Sequence, residues 1–177
     1  MYIFEKKLDL KEIFIQYKPF FTFLIKFALF YFVFAFAYSF FLDQFDTTKF
    51  ELDAITKIVS NHTEYMMQFL NADYYTIQHE SEASTKVIYN GKYIARIIEG
   101  CNAISVIILF AAFVFAFASN WVKTFLYIIV GSILIYVLNI IRIGLLVWAI
   151  YYYPEYKELL HGTIFPLFIY GVVFILW

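Results

Sequence analysis

Cys101, Arg142 and His161 are the residues of this chain whose types and positions could do chemistry together. Cys101 is its only cysteine, set where a polar stretch gives way to a long apolar run. A thiol attacks as the thiolate, which a helix N-terminus and a neighbouring cation both favour. Asn102 is a good N-cap candidate, and as such it would put Cys101 at the positive end of the following helix. His161 could take the thiol proton and return it to a leaving amine. Arg142 could donate to the oxyanion that forms when a carbonyl is attacked. Each residue also has a plainer reading. A single buried cysteine packs well, an arginine near a helix end can snorkel to headgroups, and His62 and His79 compete with His161 as partners of the thiol. His62, His79 and Glu80 show no metal-ligand spacing, and neither a metal nor another cofactor is expected.

These residues sit in a chain built for lipid. Of 177 residues, 63% are hydrophobic and 24% aromatic, and only 15% are charged. Soluble domains carry about 25% charged residues, and here the apolar excess comes in blocks, as spanning helices require. The expected class is an α-helical polytopic membrane protein. A net charge of −1 supplies no basic field, which argues against nucleic acid as a partner. One cysteine cannot form an internal disulfide.

Residues 1–18 alternate lysines with apolar residues and predict an amphipathic interfacial helix lying on the bilayer. Residues 20–42 predict the first span. Ala35-Phe36-Ala37 resembles a signal-peptidase site, but the block is long for a signal sequence and reads as an uncleaved helix. Residues 43–100 form a polar insert of helix plus β-hairpin. Thr48-Lys49-Phe50-Glu51 has the form of a capping box. Phe50, Ile55, Ile58, Val59, His62, Met66, Phe69 and Leu70 then recur at helical spacing as a face to bury. Strands are expected at 74–77, 86–89 and 93–97, with Asn90-Gly91 as a type I′ turn.

Residues 101–177 form the membrane core, with a second span from Ala103 to about Val122, a tight return at 119–123 and a third from about Thr124 to Ile150. A loop follows at 151–162, its tyrosines resembling an interfacial belt, and a fourth span runs from Thr163 to Trp177. The short lysine-bearing segments fall on one side of the bilayer and the acidic loops on the other, which predicts a cytoplasmic N-terminus. Counting residues then brings the three reactive groups to one layer. Cys101 and His161 each precede a span at the outer face, and Arg142 lies about 28 Å up the third helix from Lys123.

Gly100-Cys101-Asn102-Ala103 opening a membrane helix, Asn139-x-x-Arg142 late in the next, and His161 before the last resemble the exosortase/archaeosortase family. Length, aromatic richness and Glu99-Gly100-Cys101-Asn102-Ala103 look most like its small exosortase F branch. The more usual family pattern has small residues before the cysteine and Ser/Thr-Gly after it; here Glu99 precedes and Asn102-Ala103 follow. The resemblance implies a cysteine transpeptidase of the bacterial inner membrane, its site on the extracytoplasmic side. Cys101 would be the nucleophile, Arg142 the oxyanion stabiliser and His161 the general acid/base, with Asn102, Asn139 and Glu99 in support. Implied partners are membrane-anchored exported proteins with a C-terminal sorting signal of motif, hydrophobic helix and basic tail, and the bilayer itself. Hydrolysis by the same residues, and a non-enzymatic envelope subunit, remain open alternatives.

Overall fold

The computed structural model describes residues 15–176. Most of the interfacial helix expected over 1–18 therefore lies outside the described residues. Helix α1 (Lys18–Leu42) opens on Pro19, whose fixed φ suits a first helical turn. Helix α2 (Ala54–Phe69) and the strands β1 (Tyr74–Gln78), β2 (Thr85–Tyr89) and β3 (Lys92–Ile97) make up the insert. Then come α3 (Ile104–Ala116), α4 (Trp121–Tyr152) and, after a run of tighter and wider helical turns, α5 (Phe165–Leu176).

Among the described residues, three helical segments are long and apolar enough to cross a bilayer: Lys18–Leu42, Trp121–Tyr152 and Pro154–Leu176. The helix at the expected second span, Ile104–Ala116, has only 13 residues, about 20 Å against a hydrocarbon core of about 30 Å. The 151–162 segment is not a loop. Helical turns begin at Pro154 and run on through a π turn, Leu160–Ile164, into α5.

Helix α1 buries no residue fully and meets α3 through aromatic rings. Phe23 and Phe117 have centroids 4.5 Å apart, and Phe30 and Phe115 4.6 Å. Asn120 caps α4 by accepting from the Lys123 amide at 3.2 Å, so the chain reverses at once and α4 returns beside α3. Tyr127 Oη donates to the Leu176 carbonyl, which sets the end of α5 beside the start of α4. Phe110, Ile135 and Val173 close the seam between α3, α4 and α5.

Helix α4, at 32 residues, outruns the bilayer. Its last turns rise as a mast, and the insert wraps it: Ile143 and Val147 pack with Val59 and Met67 of α2 and Val87, Tyr89 and Ile97 of the sheet. The sheet is antiparallel in the order β1-β2-β3, with a bulge at Val87/Ile88. Asn90 and Gly91 both have positive φ, 50° and 70°, as a type I′ turn requires. Side chains of α2 cover the open edge of β1: Glu64 accepts from the Thr76 amide at 2.9 Å, and Gln68 donates to the Tyr74 carbonyl at 3.0 Å. In the last turn of α4, Tyr151 packs on this sheet, against Tyr89 and beneath the Lys92 ammonium.

Two expectations for the insert change. Thr48 does not cap the helix. Asp46 and Glu51 close a local turn around it, and α2 begins later, capped by Asp53 accepting from the Thr56 amide at 2.8 Å. The buried face of α2 is Thr56, Val59, Ser60, Thr63 and Met67, whereas Phe50, Ile58, Phe69 and Leu70 are exposed. Small residues let the helix lie close to its neighbours. Ser60 and Thr63 satisfy their own hydroxyls on the Thr56 and Val59 carbonyls, so burying them leaves no polar atom stranded.

Candidate active site

Cys101 closes a 3₁₀ turn, Glu99–Cys101, between the end of β3 and the start of α3. Asn102 does not occupy the backbone cap position. That falls to Ala103, at φ 64°, and the Asn102 side chain caps from one residue earlier, accepting from the Ile104 amide at 3.0 Å. An asparagine bonding its own backbone two residues on is the favoured way to hold such a reversal.

Asn102 is almost fully buried and anchors the turn on two other elements. Its amide donates to Tyr38 Oη of α1 at 2.7 Å and to Thr56 Oγ1 of α2 at 3.1 Å. Tyr38 in turn donates to Glu99 Oε1 at 2.7 Å. From the other side Asn139 of α4, also buried, donates to the Cys101 carbonyl at 2.7 Å. The backbone that carries the thiol is therefore pinned to α1, α2 and α4. Glu99, Asn102 and Asn139 bear on Cys101 through this network.

Depth follows from the same contacts. Tyr38 stands about 30 Å along α1 from Lys18, and Asn139 about 27 Å along α4 from Trp121. Both counts put the cysteine turn at one edge of a hydrocarbon core of about 30 Å, on the side of the insert.

At this level a cavity of about 250 Å³ is lined by Cys101, Arg142, His161 and Tyr170 among apolar neighbours that include Val106, Leu146, Phe165 and Ile169. Arg142 comes from the foot of the mast, His161 from the π turn and Tyr170 from α5. A π turn inside a helix is a rare, functionally enriched feature, and here it carries the histidine. Among the described residues, the buried atoms Arg142 Nε and Asn139 Oδ1 have no hydrogen-bond partner. The competing histidines are engaged elsewhere: His62 Nδ1 lies 2.6 Å from Tyr136 Oη, and His79 Nδ1 accepts from the Ser81 amide at 3.2 Å.

The model of the transmembrane exosortase family (EpsH type) matches residues 15–177. The chain belongs to the exosortase family. No curated protein and no solved structure matches it. In this exosortase the left-handed backbone at Ala103 falls where the more usual family pattern has glycine, the residue that adopts positive φ without steric cost. Sequence reasoning missed three residues of the site. Tyr38 is hidden in a phenylalanine-rich span. Thr56 carried no apolar signal. Tyr170 could have been noticed as the one hydroxyl in Phe165–Leu176.

Proposed function

We propose that this exosortase is a cysteine transpeptidase that removes the C-terminal sorting segment of exported, membrane-anchored proteins and passes the thioester-linked product to an acceptor. The observation that carries the reading is the cavity shared by a thiol, a guanidinium and an imidazole at the edge of the membrane core. Cys101 attacks the scissile carbonyl, His161 takes the thiol proton, and Arg142 donates to the developing oxyanion. The exosortase lies in the bacterial inner membrane with this edge extracytoplasmic. A substrate held by its own membrane helix presents the adjoining peptide bond at that depth, and confinement to the bilayer supplies much of the proximity.

Glu99, Asn102 and Asn139 hold the cysteine turn rather than react. The cavity is mostly apolar, which strengthens the interaction of the guanidinium with a forming oxyanion relative to water.

The test is to compare, by mass spectrometry, the C-termini of membrane and exported proteins in native cells carrying wild-type or Cys101→Ser enzyme. Tailed precursors should accumulate in the variant, and Arg142→Lys should behave alike because a point charge does not reproduce the guanidinium fork. Unchanged processing in the Cys101→Ser cells would refute the reading. The mass of the processed C-terminus separates transfer from hydrolysis.

A further inference from the structure

Among the side chains that line the cavity, Tyr170 carries the one protic group that this mechanism leaves unused. Its position is informative. It follows His161 by nine residues, so its backbone lies about 13 Å further along the helix. That helix descends into the membrane, because its end at Leu176 is bonded to Tyr127 near the start of α4. Side chains lean toward the N-terminus of their helix, so the phenol reaches up to the cavity from the membrane side. His161 stands at the insert side. The Arg142 guanidinium lines the same cavity, within electrostatic reach of both the Tyr170 phenol and the Cys101 thiol. In an unbroken α-helix nine residues make two and a half turns and would set His161 and Tyr170 on opposite faces. The π turn at Leu160–Ile164 takes up part of that rotation, and both reach one cavity.

A sorting segment runs from its motif down into its membrane helix. The nitrogen of the scissile bond therefore lies on the membrane side of the thiol, facing Tyr170, and the acyl part lies toward His161. We propose that Tyr170 is a fourth catalytic residue, whose hydroxyl gives its proton to the departing amine. The inference rests on the transpeptidase reading above. The step balances. Sulfur bonds to the carbonyl carbon as His161 takes the thiol proton. The carbon–nitrogen bond then breaks, its electron pair staying on nitrogen, which takes the Tyr170 proton. The phenolate, beside Arg142, recovers a proton from the imidazolium, so the proton that left the thiol is replaced on the amine without net gain or loss.

The discriminating experiment pairs two acyl donors on the full-length enzyme in membranes. One is a tailed protein that accumulates in Cys101→Ser cells, whose amide nitrogen must be protonated to leave. The other is p-nitrophenyl acetate, whose leaving group departs as an anion. With Tyr170→Phe, tail release should fall about 10²-fold, the scale of one general acid. Acylation of Cys101 by the ester, followed by intact mass, should be unchanged, which also certifies that the variant is folded. Wild-type tail release would overturn the proposal, and so would an equal loss with both donors, since that would make Tyr170 a packing residue. Cys101→Ser should react with neither donor. If it still releases tails, the cysteine reading fails, a result distinct from any failure of Tyr170.

Discussion

At the residue scale the informative positions are those where a side chain and its backbone or surroundings disagree. Ala103 holds a left-handed conformation that costs an L-residue roughly 1–2 kcal/mol. Ala103→Gly should therefore leave stability within about 1 kcal/mol, the strain relieved offsetting the flexibility gained by the unfolded chain. Ala103→Val, β-branched at positive φ, should cost about 2 kcal/mol or more, read as a fall in the melting temperature of the detergent-solubilised protein. Tyr74 presents a different conflict. Its phenol is buried without a hydrogen-bond partner among the described residues, and burial, with the nearby Glu64 carboxylate, raises its pKa above the usual value. The neutral form is favoured in the folded state, so this contribution is intact below about pH 10 and is lost as pH rises above the unfolded value. Tyr74→Phe should stabilise the insert by roughly 1 kcal/mol at neutral pH and flatten the alkaline side of its stability profile. Unfolding followed from pH 8 to 11 checks both, with pH 10 as the pivot.

At the scale of elements, close helix packing beneath the cavity depends on Gly131. A Cβ there would stand 2.3 and 2.5 Å from ring atoms of Phe110, a residue with no exposed surface. The ring is wedged between α3, α4 and α5 and has little room to give. Gly131→Ala should cost about 1–3 kcal/mol by overpacking, measured as reduced resistance to thermal unfolding in detergent, with Gly171→Ala as the control. No atom lies within 4 Å of a Cβ built at Gly171. Element types were largely legible in sequence because apolar blocks and the Asn90-Gly91 turn are local signals. Two boundaries were not. Apolar residues on both sides of Ala116 hid the end of α3, and charged residues at 155–158 made a helical segment look like a loop. The buried face of α2 was misread because hydroxyl residues went inside, where bonds to their own helix satisfy them.

At the scale of the molecule, the cysteine turn is a junction. Tyr38, Glu99, Asn102 and Thr56 link the first span, the turn and the insert through three hydrogen bonds. If the insert acts as a brace for the site, Tyr38→Phe and Thr56→Val should couple through Asn102. A double-mutant cycle on unfolding stability should return an interaction energy of about 0.5–3 kcal/mol, because the two residues share one buried amide. The same cycle on the rate of Cys101 alkylation should show the variants loosening the turn. Strict additivity in both measurements would leave the insert as a separate module.

The sequence by itself determined the class of the molecule and the order of its elements. Those follow from composition and periodicity, which local chain physics reads directly. It also brought Cys101, Arg142 and His161 to one depth by residue counting along helices. Tertiary structure decided the rest. Which histidine meets the cavity depends on a π turn and on Tyr136 engaging His62, and neither has a sequence signature. The bracing of the cysteine turn joins residues up to 64 positions apart, as in Asn102 with Tyr38, and such contacts exist only once the helices have packed. Tyr170 joined the site for the same reason: a hydroxyl on an apolar helix has no chemical meaning until packing shows what it faces.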